Sequence, residues 1–275
     1  MLVTLNEVLK DAQKNKYGVG LFNTVNLEMA EGVIQAAEET KSPVIIGTAE
    51  VLLPYAGLEE LAYFLIPMAR KASVPVVVHF DHGLTKEKIL LALKCGFSSI
   101  MYDCSSKSYE ENIKSLQEIK VLTDLYGVTV EAELGHVGAN MGKDDSIYTE
   151  PEQAKDFAER TGVDALAVAI GTAHGAYKET PKLDFNRLSE IANVVNIPLV
   201  LHGGSGLSDD DFRNCIARGI SKVNIFTDIN CAAAKAAHNT YRNGLGMTDL
   251  IPNIKKAIKA ETIKKMKIFG SCGKA

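Results

Sequence analysis

The strongest constraint on the fold is a rhythm through most of the 275 residues, in which short apolar segments alternate with helical segments. The apolar segments are rich in Val, Ile and Leu and apolar at nearly every position, which is typical of parallel strands buried on both faces. Strands are predicted at residues 19–23, 43–47, 75–79, 98–103, 129–133, 165–170, 198–202 and 222–225. Helices are predicted to follow them at residues 27–40, 59–72, 86–95, 109–126, 151–161, 184–194, 209–218 and 228–237.

This series of strand–helix units predicts an α/β fold of the (β/α)8 type, a TIM barrel, formed by a single domain over residues 1–275. An open doubly wound sheet is the alternative, but the equivalent units offer no obvious edge strand. The stretches 134–149 and 239–250 contain Gly and polar residues, and they are predicted to be mobile loops.

The N-terminus and the composition exclude several classes of protein. Residues 1–14 are predicted to form an amphipathic helix with Thr4 as its N-cap and one apolar face made of Leu5, Val8, Leu9 and Ala12. This segment lacks the basic start and apolar run of a signal peptide, and no apolar stretch approaches the ~18 residues of a membrane-spanning helix. A net charge of -4 argues against nucleic acid, and five cysteines without a C-x-x-C pair suit a reducing cytosol. We expect a cytoplasmic protein that binds neither nucleic acid nor membranes.

Histidines gather at the ends of the predicted strands, where a barrel of this type places its active site. Of the 6 histidines, His79, His82, His174 and His202 lie there. Three imidazoles beside carboxylates suit a catalytic zinc ion, which takes three protein ligands and leaves a fourth position open. His82, His174 and His202 are the predicted ligands. His79, two residues before Asp81 on the same strand face, is expected to orient its neighbours through hydrogen bonds, and a role as a metal ligand is the less favoured alternative.

A glycine-rich segment, Gly203-Gly204-Ser205-Gly206, follows the seventh predicted strand, and residues 224–227 lie at the end of the eighth. Backbone N–H groups and small hydroxyls at these two places form the phosphate site of many barrels. Lys178 could add a positive charge there, although an ordinary solvated lysine is an equal alternative.

A metal beside a phosphate site predicts Lewis-acid chemistry on a small phosphorylated substrate, through an enediolate. A carboxylate next to the metal would move protons, and Asp81, adjacent to His82, is the predicted group. The alternative for Asp81 is a structural role, in which it accepts hydrogen bonds from backbone N–H groups of the strand-end turn.

The motifs that carry this chemistry resemble those of one family, the class II, zinc-dependent ketose-bisphosphate aldolases that act on fructose 1,6-bisphosphate or tagatose 1,6-bisphosphate. The resemblance runs from residues 17–26 (YGVGLFNTVN) to the tail 269–275 (FGSCGKA). Its most specific motifs are VVVHFDHG at 76–83, VEAELG at 130–135, AVAIGTAHGAYK at 167–178, LVLHGGSG at 199–206 and KVNIFTD at 222–228.

The resemblance implies a role for each matching residue. His82, His174 and His202 would bind Zn²⁺, and Asp103 and Glu133 would lie near the metal, behind the ligands or at an alternate metal position. Asp81 would take the C4 hydroxyl proton as the C3–C4 bond breaks. The substrate, fructose 1,6-bisphosphate first and tagatose 1,6-bisphosphate next, would yield dihydroxyacetone phosphate and glyceraldehyde 3-phosphate. The implied substrate-binding residues are Asn23, Thr48, Gly175, Lys178, Gly203, Gly204, Ser205, Asn224, Ile225 and Thr227.

The resemblance also implies a monovalent cation, Na⁺ or K⁺, held by carbonyls around Gly175 and Gly203, and a homodimer or homotetramer. Two departures concern the aldehyde half of the substrate. Met141 stands where the family has a mobile-loop Glu, and Asp144, Asp145 and His136 are the alternatives for that role. Residues 239–250 lack the family's D-P-R segment, so that Arg242 is the nearest candidate for the distal phosphate.

Other functions stay open at this point. The chain could act on another phosphorylated ketose, or serve as a non-catalytic partner subunit, although the three histidines and Asp81 argue against the second. A metal hydrolase is disfavoured because the first predicted strand ends in Phe22-Asn23 rather than in an H-x-H pair. A Schiff-base aldolase needs a desolvated strand lysine. The sequence suggests only Lys222, which is expected at the start of the last strand and therefore at the wrong end of the barrel.

Overall fold

The computed structural model describes residues 1–135, 148–173 and 181–275. The strands in these ranges are β1 (Leu2–Val3), β2 (Val19–Asn23), β3 (Val44–Ala49), β4 (Val76–Gly83), β5 (Ser99–Tyr102), β6 (Thr129–Leu134), β7 (Ala165–Val168), β8 (Leu199–Leu201) and β9 (Ile220–Ile225). The α-helices are α1 (Leu5–Asn15), α2 (Leu27–Thr40), α3 (Leu58–Lys71), α4 (Lys86–Cys95), α5 (Tyr109–Tyr126), α6 (Pro151–Thr161), α7 (Phe185–Val194), α8 (Asp209–Ala217), α9 (Thr227–Thr240) and α10 (Met247–Phe269).

Strands β2 to β9 form a closed parallel barrel. Their order is β4-β3-β2-β9-β8-β7-β6-β5, and β5 pairs again with β4, which closes the sheet. The predicted TIM barrel is confirmed, and the open-sheet alternative is wrong. Each predicted strand corresponds to one of β2 to β9, because strands that are buried on both faces are apolar at almost every position.

The floor of the barrel is sealed by α1. Its apolar face, predicted from the sequence, is buried and packs on inward-facing side chains such as Leu21, Ile45 and Val77. Glu7 accepts a hydrogen bond from the Thr4 backbone N–H at 2.7 Å, which fixes the start of the helix. Residues 2–3 differ from the prediction of a helix, because they form β1, which pairs in parallel with the start of β4.

Two further boundaries differ from the sequence prediction. Strand β4 continues to Gly83 instead of ending at residue 79, so that Asp81 and His82 lie on the strand itself. The predicted irregular stretch 239–250 is helical at both ends and irregular only over residues 241–246, since α9 ends at Thr240 and α10 begins at Met247. The sequence analysis assigned no structure to most of α10, which packs along α2 and α9. None of the helices in the described ranges combines the length and apolar character needed to cross a membrane.

The packing of α1 gives a prediction for stability. Leu9 is fully buried beneath the barrel, whereas Leu125 on α5 is 80% exposed. We expect Leu9→Ala to lower the free energy of unfolding by about 2–5 kcal/mol, because it leaves a cavity in the floor, whereas Leu125→Ala should change it by less than about 0.5 kcal/mol. Urea denaturation followed by circular dichroism measures both values. Equal losses in the two variants would show that α1 is not part of the barrel core.

Candidate active site

A break in strand β4 brings two adjacent residues to one cavity. The pairing of β4 with β5 shifts register between Phe80 and Gly83, and His82 adopts a left-handed backbone with φ of 42°. Adjacent side chains on a regular strand point to opposite faces, so that Asp81 and His82 could not both face inward without this irregularity. Both line the same cavity. A non-glycine residue with positive φ is costly, and such strain is concentrated at functional sites.

His82 and His202 face each other at the mouth of the barrel. His82 Nε2 lies 2.6 Å from His202 Nδ1, and the two rings are nearly perpendicular, at 86°. The outer nitrogens contact carboxylates: His82 Nδ1 lies 2.8 Å from Asp103 Oδ2, and His202 Nε2 lies 2.8 Å from Glu131 Oε1. A carboxylate on one ring nitrogen fixes the N–H there and leaves the other nitrogen as a lone pair. Two lone pairs this close repel each other unless a proton or a metal ion lies between them.

The pKa of His82 is consistent with a proton between the two rings. Burial lowers the pKa of His82, but the carboxylates of Asp81, Asp103 and Glu133 outweigh it and raise the pKa to about 9. Burial raises the pKa of Asp103, but its hydrogen bond and attraction to His82 hold that pKa well below its usual range. The site therefore holds a positive charge at His82 near neutral pH.

The donor atoms around the pair fit a zinc ion. One donor group consists of Asp81, His82 and His202, and an overlapping one of His82, Asp103 and Glu133, with the donor atoms of each group within 4.8 Å of one another. Imidazole nitrogens and carboxylate oxygens are ligands that zinc binds well. The structure brings together four of the five predicted metal-site residues, and the fifth, His174, lies outside the described residues.

Asp81 is almost fully buried and held by two asparagines. The Asn23 side-chain amide donates to Oδ2 at 2.8 Å, and the Asn224 amide donates to the carboxylate at 3.0 and 3.1 Å. Burial raises the pKa of Asp81, but attraction to His82, Lys222 and the other histidines holds it well below its usual range. Asp81 is therefore a fixed, ionised carboxylate beside the histidine pair. Both asparagines, predicted to bind substrate, also position this carboxylate.

Beneath this layer lies a group of charges that sequence reasoning missed. Lys222 pairs with Val19, the first residue of β2, so that its backbone lies near the start of the strand, as expected. Its side chain, however, points into the barrel, with Nζ 2.7 Å from Glu131 Oε2, a contact that the sequence analysis did not predict. Its ion pair also makes it a poor Schiff-base nucleophile. Period-two spacing was the available signal, because Lys222 precedes the inward-facing Asn224 by two residues and Glu131 precedes Glu133 by two.

The charged groups of this inner layer change the pKa values of their neighbours. Burial raises the pKa of Glu131, but Lys222 and His202 lower it to about 2. His79 Nδ1 lies 2.8 Å from Ser99 Oγ, within hydrogen-bond distance, whereas its Nε2 lies 3.8 Å from Asp81 Oδ1, beyond that distance. Burial and the nearby Lys222 lower the pKa of His79 to about 3, so that this ring is neutral.

His82, with Asp81, Asp103 and Glu133, lines a cavity of about 470 Å³, whereas His202 lies fully buried behind His82. One wall is built from the loop after β8, the end of β9 and the start of α9, and it includes Gly203, Gly204, Ser205, Asn224, Ile225 and Thr227. Ser205 Oγ accepts a hydrogen bond from the Phe226 backbone N–H at 3.2 Å, which ties this loop to the first turn of α9. Gly203 has φ of 64°, and a Cβ there would lie 2.4 Å from the carbonyl oxygen of Ala173. Only glycine allows this loop to pass so close to the loop after β7.

The cavity also has an apolar part of its lining, with Ala49, Val51, Leu52 and Leu84, from the segments that follow β3 and β4. The predicted residue Thr48 does not line the cavity. It is buried in β3, and its neighbour Ala49 faces the cavity instead, as the alternation of side chains along a strand requires.

The remaining predicted residues lie elsewhere. Arg242 is exposed in the turn between α9 and α10, where its guanidinium donates to the carbonyl oxygens of Asn239 and Tyr241. Gly175 and Lys178 lie outside the described residues, as do the loop residues His136, Met141, Asp144 and Asp145.

Comparison with known proteins identifies the family. A family model described as "Fructose-bisphosphate aldolase class-II" matches residues 3–274. The chain belongs to this family. Its members are lyases that act on phosphorylated sugars and are typically metal-dependent.

Individual relatives match over their whole length. The chain is 42% identical over 279 residues to "Uncharacterized protein YdjI" of Escherichia coli K12, with all of both chains covered. It is 39% identical over 286 residues to a fructose-bisphosphate aldolase of Geobacillus stearothermophilus, covering 100% of this chain and 99% of the relative. A crystal structure described as the YdjI aldolase from E. coli K12 superimposes with a TM-score of 0.92 over all of both chains, at 40% identity.

The histidine pair gives a prediction for the pH dependence of metal binding. Below pH 9 His82 is protonated, and a metal ion must displace that proton. The zinc dissociation constant, measured against a competing chelator, should therefore fall about tenfold per pH unit as the pH rises towards 9 and then level off.

A variant tests the cause of that pH dependence. Asp103→Asn removes the carboxylate at His82 Nδ1, so that the plateau should begin at a lower pH. A zinc affinity that is independent of pH between 7 and 9 would contradict this account of His82.

Proposed function

We propose that the protein is a zinc-dependent aldolase that reversibly cleaves a ketose 1,6-bisphosphate to dihydroxyacetone phosphate and glyceraldehyde 3-phosphate. Fructose 1,6-bisphosphate is the first candidate substrate and tagatose 1,6-bisphosphate the second. The proposal rests mainly on one observation: the buried, ionised carboxylate of Asp81 lies beside the facing nitrogens of His82 and His202, in a cavity large enough for a sugar phosphate.

The metal ligands in this proposal are His82, His202 and His174. Zinc, when bound, supplies Lewis-acid polarisation of the ketose carbonyl. Asp103 holds the His82 ring through its Nδ1, and Glu133 lies 3.6 Å from His202 Nδ1. These two carboxylates lie behind the imidazoles or offer an alternate position for the ion.

Asp81 is the proposed proton acceptor. It takes the proton of the C4 hydroxyl as the C3–C4 bond breaks, and the electron pair of that bond stays with the dihydroxyacetone phosphate half. The other half leaves as an aldehyde. A low pKa keeps Asp81 ionised before the reaction, and the amides of Asn23 and Asn224 hold its oxygens in place.

The phosphate of the dihydroxyacetone half is proposed to bind on the wall formed by Gly203, Gly204, Ser205 and Thr227. The first turn of α9 offers N–H groups that its own helix does not use, and a helix N-terminus favours an anion. Gly175 and Lys178 would complete this site, with a monovalent cation held by carbonyls near Gly203.

A ketose 1-phosphate is the second candidate class, because of the apolar part of the cavity lining. Among the described residues that line the cavity, none is Lys or Arg, and Val51, Leu52 and Leu84 give part of the lining an apolar surface. The described part of the cavity lining therefore offers a second phosphate no Lys or Arg side chain. An uncharged sugar end suits an apolar surface better.

The substrate is tested by measuring release of dihydroxyacetone phosphate from fructose 1,6-bisphosphate, tagatose 1,6-bisphosphate and fructose 1-phosphate, with and without EDTA. Cleavage of a bisphosphate that EDTA abolishes is the expected result. EDTA-sensitive cleavage of fructose 1-phosphate alone would favour the second candidate class. Failure to cleave any of the three by zinc-loaded protein, or cleavage that resists EDTA, would contradict the proposal.

The role of Asp81 is tested with a matched pair of variants. Asp81→Ala should retain zinc but lower kcat by about 10²-fold or more, the usual effect of removing a positioned acid or base. Asp210→Ala on α8 removes an aspartate that is 84% exposed, and it should leave kcat unchanged. Zinc content is measured beside kcat, so that loss of metal is not mistaken for loss of the proton acceptor. An Asp81→Ala variant that cleaves at the wild-type rate would exclude this assignment.

A further inference from the structure

Lys222 is a positive charge enclosed by the barrel. Both Lys222 and Glu131 are fully buried, and Lys222 Nζ lies 2.7 Å from Glu131 Oε2. A buried ammonium is stable only beside an anion, and a buried carboxylate only beside a cation or hydrogen-bond donors. The two side chains therefore fix each other across the barrel interior, from β9 to β6.

Glu131 uses its second oxygen on a residue of the candidate metal site. Its Oε1 lies 2.8 Å from His202 Nε2. The carboxylate therefore accepts the Nε2 proton and sets the angle of the ring, and His202 Nδ1 becomes the nitrogen that faces His82 Nε2. Lys222 thus contacts Glu131, and Glu131 contacts His202, the residue whose Nδ1 would bind the metal.

We propose that Lys222 is a positioning residue for the metal site, which fixes Glu131 so that Glu131 holds His202 with Nδ1 directed at the metal. This inference rests on the proposed function, because it assumes that His202 is a metal ligand. Lys222 touches neither metal nor substrate in this arrangement and acts only through Glu131. Without the ammonium, Glu131 would lose its partner at Oε2, and the carboxylate could turn away from His202.

The test compares two buried lysines that receive the same substitution. Lys222→Met removes the charge and keeps much of the side-chain length. Lys265→Met is the control, because Lys265 is also buried and ion-paired, to Asp228, but lies on α10 outside the barrel. For each variant, the zinc dissociation constant is measured by chelator competition, and the visible absorption spectrum of the Co²⁺-loaded protein reports the ligand geometry.

Lys222→Met should bind zinc about 10–100-fold more weakly than the wild type, with an altered Co²⁺ spectrum, as expected when the group that orients a ligating imidazole is disturbed. Lys265→Met should bind zinc within about twofold of the wild type and keep its Co²⁺ spectrum. A purely structural role for Lys222 would lower the melting temperature of Lys222→Met and leave the zinc affinity and Co²⁺ spectrum of the folded variant unchanged. Wild-type affinity and spectrum in Lys222→Met would overturn the proposal.

A second variant decides the case if Lys222→Met does not fold. The double variant Lys222→Met/Glu131→Gln removes both charges of the pair, so that neither is left buried alone. The proposal predicts that it also binds zinc about 10–100-fold more weakly than the wild type. Wild-type affinity in the double variant would overturn it. A wild-type protein that binds no zinc would instead refute the proposed function, and that outcome is measured first.

Discussion

The matching of charges inside the barrel is the constraint on which the site depends. A barrel of this size is filled with side chains, and a closed interior offers an ionised group little water. Here Lys222 is matched by Glu131, and Asp81 by the two asparagines and the neighbouring cations. Each of these ion pairs and hydrogen bonds holds a polar side chain in one orientation. The polar half of the interior is therefore as fixed as the apolar half below it.

The apolar floor of the barrel contributes to stability, and the polar mouth holds the candidate site. Side chains such as Leu21 and Val77 fill the lower half and are covered by α1, whereas Asp81, His82 and Asn224 line the cavity in the upper half. The same strands supply both halves, because a strand that begins in the floor ends at the mouth. Stability and chemistry thus come from opposite ends of the same strands, as in other barrels of this architecture.

Much of this arrangement can be predicted from the sequence, and the exceptions have physical reasons. The eight buried strands and the residues at their ends are local signals, which is why Asp81, His82 and His202 could be predicted to meet. Thr48 was misplaced because the face that a side chain occupies depends on strand register, and one residue reverses it. The contact of Lys222 with Glu131 was missed because it joins the long side chain of one strand to a residue of another strand across the barrel. The role of Glu131 depends on contacts across the barrel, which no local pattern contains.

The irregularity at His82 has a consequence for how the family's chemistry can vary. A regular strand presents every second residue to the mouth, and β4 presents two in succession because the backbone of His82 is left-handed. The proposed proton acceptor, Asp81, and a proposed metal ligand, His82, are thereby joined by a single peptide bond, and neither can shift along the strand without the other. The covalent chain therefore keeps the proposed acid–base group beside the proposed metal site. The residues that line the rest of the cavity are not tied in this way, so they can be substituted without moving the two groups apart.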